Sequence, residues 1–183
     1  MSAALALVSA LCLAAPSPDT WPHPRGDAAQ RGVAQGRLTM PLKVAWSQPL
    51  GARVEGSPVV LGGAVMVGAE DGRLRAFALK TGERLWVRDL GASIAASPVK
   101  VGDVVVIGDR SGVVHGLDPK TGNGIWRYQT GDKVMGSANV AEVDGKRLAV
   151  IGSYDAKVHA IDAKTGQALW THTTGNYVHG SPA

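Results

Sequence analysis

One eleven-residue pattern recurs three times in this chain and decides most of what it can fold into. Ala160-Ile161-Asp162-Ala163-Lys164-Thr165-Gly166-Gln167-Ala168-Leu169-Trp170 follows two earlier copies, Ala76 to Trp86 and Gly116 to Trp126. Trp46, Trp86, Trp126 and Trp170 stand 40, 40 and 44 residues apart, and Ser57, Ser97, Ser137 and Ser181 keep the same steps. A fixed period of this length marks stacked supersecondary units, none of which buries its apolar face alone.

Each unit reads as four short β-branched runs separated by turn residues. In the second unit these are Ser97-Pro98-Val99-Lys100, Val104-Val105-Val106-Ile107-Gly108, Val113 to Leu117 and Ile125 to Thr130. Such runs at roughly ten-residue spacing are antiparallel strands, and no segment carries a sustained helical stripe. The expectation is an all-β chain, a β-propeller of four-stranded antiparallel blades. Residues 43–50 supply an outer strand carrying Trp46, and full units occupy 52–91, 92–131 and 132–175. Residues 176–183 then repeat the start of a further unit. Closed propellers take about four to eight blades, so about three blades with flanking strands read as a fragment of a ring of about seven or eight. In the third unit Asp144-Gly145 marks a lengthened hairpin.

The repeated motif has a mechanical reading. Asp118 and Asp162, each ending a strand, are placed to accept backbone N–H groups of the turn that follows. Thr81, Thr121 and Thr165 precede Gly82, Gly122 and Gly166, where the missing Cβ lets the chain take the left-handed turn conformation. Trp86, Trp126 and Trp170 then fall on the outermost strand, where a ring can wedge between neighbouring sheets and its N–H can find a carbonyl. Ala78 replaces the aspartate in the first unit, so that turn lacks its carboxylate cap.

The pattern Ala-x-Asp-x-x-Thr-Gly-x-x-x-Trp resembles the tryptophan-docking motif of pyrroloquinoline-quinone-like (PQQ-like) propeller repeats. Residues 160–170 match it fully, 116–126 match except at Gly116, and 76–86 match except at Ala78. Trp21-Pro22-His23-Pro24-Arg25-Gly26-Asp27 is similar to the leader of bacterial exported members. The resemblance implies a propeller, but the same blade serves BamB-type assembly lipoproteins and quinoprotein dehydrogenases. In the dehydrogenases it implies a quinone beside calcium, held by carboxylate and asparagine ligands, often near a disulfide of neighbouring cysteines. No residue here matches those ligands, so no catalytic, cofactor-binding or metal residue is assigned and no cofactor is evident. The favoured expectation is therefore an exported, non-catalytic binding or scaffold module of the cell envelope. The alternative is part of a PQQ- and calcium-dependent dehydrogenase oxidising alcohols or sugars.

The N-terminus supports export. Residues 3–15 form an uncharged apolar run ending in small residues, a signal-peptide core too short to span a bilayer, although Met1-Ser2 lacks the usual positive charge. Residues 1–15 thus read as a signal and 16–42 as an extended proline-rich leader, which places the body outside the bacterial cytoplasm, in the periplasm or another extracytoplasmic space. Cys12, the sole cysteine, follows Leu11 rather than a small residue, which disfavours a lipid anchor there. The net charge of +4 is scattered without a basic run, so a nucleic-acid partner is not expected. Partners are expected among proteins or envelope components, with no spanning segment in the mature region.

Two sets of positions vary inside the fixed frame. Four and two residues before the serine marker stand Arg53 and Glu55, Ser93 and Ala95, Lys133 and Met135, and Tyr177 and His179. If these lead into innermost strands they ring one mouth of a central channel; Arg53, Glu55, Lys133, Met135, Tyr177 and His179 are the candidates for partner contact. Arg75, His115 and His159 share another position, on a strand, where partial solvation rather than metal binding is expected.

Overall fold

The structure, a computed structural model, describes residues 20–27, 29, 31–33 and 40–182. The expected signal at 1–15 and Cys12 lie outside them. The described residues fold into twelve strands and no helix. They are β1 (Val59–Leu61), β2 (Ala64–Gly68), β3 (Arg73–Ala78), β4 (Arg84–Asp89), β5 (Val99–Val101), β6 (Val104–Gly108), β7 (Val113–Leu117), β8 (Gly124–Gln129), β9 (Asn139–Val143), β10 (Lys146–Ser153), β11 (Lys157–Asp162) and β12 (Ala168–Thr173). They form three four-stranded antiparallel meanders, β1–β4, β5–β8 and β9–β12, called here units 1, 2 and 3.

The sheets fan out from their first strands. Ser57 N donates to Ser97 Oγ at 2.8 Å, Ser97 N to Ser137 Oγ at 2.8 Å and Ser137 N to Ser181 Oγ at 2.9 Å. This relay ties the entries of successive units together, so the recurring serine is an inter-unit tether. The first strands are therefore innermost, and the tryptophan strands outermost.

Period-two alternation explains why the units need one another. Val105, Ile107 and Leu117 of unit 2 pack with Val59, Met66, Leu74 and Ile94 of unit 1 and its junction. The intervening Val99, Val101, Val106 and Val114 pack with Ala149, Ile151 and Ile161 of unit 3. Every residue of β6 and β7 is consequently buried. Close approach at these joints requires glycine. A Cβ on Gly108 would lie 2.3 Å from Val134 Cγ1, and one on Gly152 would lie 2.3 Å from Val178 Cγ1.

Each unit also has a ladder irregularity one step before its motif turn, at Ala76/Phe77, Gly116/Leu117 and Ala160/Ile161. The third unit's hairpin closes at Asp144 (φ 50°) and Gly145 (φ 72°), the two left-handed residues of a primed turn.

One expectation fails. Residues 43–50 form no strand among the described residues, although Trp46 sits where an outer-strand tryptophan belongs. An outermost strand has ladder partners on one side only, and the described chain supplies no inner strands beside this segment.

Candidate binding site

The motif residues build joints between units. Trp46 Nε1 donates to Leu79 O at 2.8 Å, Trp86 Nε1 to Pro119 O at 3.2 Å and Trp126 Nε1 to Ala163 O at 2.8 Å. Each ring lies over the glycine of the next unit's turn. Cβ atoms built on Gly82, Gly122 and Gly166 would stand 2.6, 2.6 and 2.7 Å from the Trp46, Trp86 and Trp126 rings. These glycines also have positive φ, so both backbone and space demand them. Trp170 occupies the same place on β12 and is 46% exposed, against 9% for Trp126.

The turns are capped as their carboxylates imply. Asp118 Oδ1 accepts Lys120 N at 2.8 Å and Thr121 N at 2.9 Å, and Asp162 Oδ1 accepts Lys164 N at 2.8 Å and Thr165 N at 3.1 Å. The backbone N–H groups of Thr121 and Lys120 hold the Asp118 carboxyl below the usual carboxylate range. Around Ala78 the carboxylate is missing, but Gly82 N still donates to Ala78 O at 2.8 Å.

His115 and His159 correct the expectation of partial solvation: each is 3% exposed. They are buried because each has an acid. His115 Nε2 meets Asp109 Oδ2 at 2.7 Å, and His159 Nε2 meets Asp155 Oδ2 at 3.1 Å while its Nδ1 meets Tyr128 Oη at 3.0 Å. Their counterpart Arg75 pairs with Asp71. Burial pushes the Asp109 carboxyl up, but bonds from His115, Ser111 and Val113 outweigh it, and the net direction is down. Asp155 is lowered in the same way, burial being opposed by bonds from Gly131 and His159. The acid shifts by two positions between units. Asp71, Ser111 and Asp155 are equivalent, as are Ala69, Asp109 and Ser153, so alignment column by column hides a pairing that space preserves.

Five of the six candidate mouth residues fall into two clusters, organised by residues the sequence reading passed over. Glu55 accepts from Arg110 Nη2 at 2.7 Å, and Arg53 lies 3.5 Å from Glu55 and 3.9 Å from Glu70. The Arg110 guanidinium holds the Glu55 carboxyl below its ordinary range. In the second cluster Tyr154 is central. Its ring stacks on Tyr177 with centroids 4.6 Å apart, its hydroxyl meets His179 Nδ1 at 2.5 Å, and Lys133 Nζ stands 4.9 Å from its centroid. Met135 is half-buried. The organising residues Glu70, Arg110 and Tyr154 are one equivalent position, each opening the turn after a unit's second strand. Their steps of 40 and 44 were the available signal.

Two grooves lie at the opposite end of the sheets. The larger, about 570 Å³, runs between units 1 and 2 beside Leu61, Leu85, Lys100 and Pro119, and its counterpart between units 2 and 3 measures about 390 Å³. Recurring at each joint, they follow from the stacking of twisted sheets.

Among the described residues no group of three or more His, Cys, Asp or Glu side chains is placed to hold a metal ion. Asp71, Asp109, Asp155, Asp118 and Asp162 are already committed to arginine, histidine or turn amides. Among the described residues there is also no helix long and apolar enough to cross a membrane.

The family profile described as outer membrane protein assembly factor BamB matches residues 42–144. The crystal structure of BamB from Moraxella catarrhalis is 30% identical over 70% of this chain, with a TM-score of 0.61, and the match covers 39% of that protein. Quinohemoprotein alcohol dehydrogenase from Comamonas testosteroni is 24% identical over 85% of this chain and 27% of its own, with a TM-score of 0.71. A europium-containing methanol dehydrogenase is 18% identical over 86% of this chain and 32% of its own, with a TM-score of 0.71. At these identities the two dehydrogenases share the fold. No curated protein sequence matches the chain. The chain spans about two fifths or less of each of these proteins.

Proposed function

Because the chain belongs to the PQQ-like β-propeller family of outer membrane protein assembly factor BamB, we propose that it is an exported, non-catalytic binding module of the cell envelope, working in the periplasm. The observation that carries this reading is the mouth. Arg53, Glu55, Glu70 and Arg110 form an open ion-pair network there, and Lys133, Tyr154, Tyr177 and His179 form an aromatic one, each joining a loop that leads into an inner strand to the turn after a second strand. Exposed tyrosine with paired arginine and carboxylate suits the hot spots of a protein interface, where a few anchors dominate. The partner is accordingly a protein of the same compartment.

A photo-crosslinking residue placed at Tyr177 or Glu55 of the full-length protein, expressed in its own cells, tests this. A discrete envelope-protein adduct from these positions, and none from Lys80 on the opposite end, supports the reading. Uptake of pyrroloquinoline quinone with calcium, followed by dye reduction with an alcohol or aldose, would replace it with the dehydrogenase.

A further inference from the structure

We propose that the inner-strand edges of units 1 and 2 form a receiving edge for an extended peptide, and that the chain's own segment Trp21–Asp27 occupies it as an intramolecular plug. This surface is separate from the mouth, and the inference stands whether or not the mouth binds a protein.

The register leaves the edge open at one repeated position. Val60 opposes Val65 on β2, and Lys100 opposes Val105 on β6. At both places the first strand's N–H points away from its own sheet. Val60 N donates to Trp21 O at 2.9 Å and Trp21 N to Val60 O at 2.8 Å, an antiparallel bridge. One unit on, Lys100 N donates to Pro22 O at 3.2 Å. Proline has no N–H, so at an edge it can accept without leaving a donor unpaired. Successive leader carbonyls thus serve equivalent donors of successive units, which is strand addition carried across two sheets.

Unit 3 provides the contrast. The equivalent donor, Val140 N, is taken by Asn139 Oδ1 at 2.8 Å. Units 1 and 2 each have a valine that follows a proline before this position (Val59 after Pro58, Val99 after Pro98) and cannot cap themselves in this way. Two edges therefore receive a strand, and the third closes itself.

The plug is also shaped for its place. Gly26 N donates to His23 O at 3.0 Å, and Gly32 N to Arg25 O at 2.9 Å. The Trp21 ring folds over Gly26, whose φ is +87° and whose Cβ would lie 2.9 Å from the indole. His23 is 8% exposed, and burial holds its imidazole below its ordinary value against the opposing pull of Asp27, so no charge is buried at neutral pH. The ligand class that fits is an extended peptide with an aromatic–proline pair followed by a glycine turn.

The test uses the full-length protein with Gly26→Val, which crowds the indole and leaves the units untouched, and separately Trp21→Ala. A fluorescent peptide of residues 20–27 is titrated by anisotropy, and leader release is followed by trypsin cleavage after Arg25 or Arg31. The expected result is cleavage about tenfold faster in both variants. Saturable peptide binding to the variants should also be about tenfold or more tighter than to wild type, whose tethered plug competes at high effective concentration. Equal cleavage of wild type and variants would overturn the proposal, as would released leaders whose edges take up no peptide. Loss of cooperative unfolding in both variants would also overturn it, since the segment would then be an integral part of the fold.

Discussion

Unit 2 and unit 3 are built from nearly the same text, yet they sit in different surroundings. Sheet β5–β8 has a neighbour on both faces, β6 and β7 are buried throughout, and Trp126 is 9% exposed. In sheet β9–β12 the outermost strand is exposed at every residue and Trp170 is 46% exposed, although its motif matches the family pattern more fully than that of unit 2. The worth of the motif is therefore a property of the joint it makes. A tryptophan contributes through the turn it lands on, and the quality of its own eleven residues decides only whether it is aimed correctly.

The sharpest way to break this comparison is to remove both rings. Trp126→Ala should destabilise the chain by about 3–5 kcal/mol, the cost of deleting a buried aromatic, while Trp170→Ala in the same 183 residues should cost under about 1 kcal/mol. Urea unfolding followed by far-ultraviolet dichroism reads both, and equal losses would refute the contrast. Next comes the receiving side of the joint. Gly166→Val places a branched side chain where a Cβ already lies 2.7 Å from the Trp126 ring at a φ of +74°, and about 2–4 kcal/mol should be lost. Gly175→Val, with nothing within 4 Å of its Cβ, should cost far less.

The buried acids sharpen it further. Asp109→Ala strips partners from His115, Ser111 and Val113 at once and should cost about 1–3 kcal/mol, more than Asp118→Ala on its exposed turn. Both Asp109 and Asp155 are held below their ordinary carboxylate values in the folded chain. Their stabilisation is therefore complete above the unfolded value of about 3.9 and is lost as pH falls from there through the folded values. Thermal melts should fall in that acid window, and Asp109→Asn should flatten the fall. Smallest is the tether: Ser97→Ala leaves Ser57 N without its 2.8 Å acceptor and should cost about 0.5–1.5 kcal/mol.

Much of the architecture was legible because the repeat carries its own register. Four runs per unit, the glycine turns and the in-phase tryptophans each have a local physical reason, and the structure places all twelve strands of the full units on those runs. Four things were not legible, for one common reason: each depends on contacts that the aligned columns of the repeat do not show. The strand expected at 43–50 needs inner partners that its own sequence does not contain. His115 and His159 looked like half-solvated strand residues because their acids sit at different repeat positions, Asp109 in one unit and Asp155 in the next. The mouth candidates were found by their variability, but what organises them, Arg110 beside Glu55 and Tyr154 beside Tyr177, lies on another loop. Nor does anything in Trp21-Pro22 announce that its carbonyls reach Val60 and Lys100.

Native-state hydrogen exchange tests most directly the claim that each sheet becomes a core only by lying against its neighbours. Amides of β6 and β7, stacked on both sides, should exchange at the slowest, globally limited rate, about tenfold or more slower than those of β11 and β12. Equal protection in units 2 and 3, or slower exchange in unit 3, would contradict it.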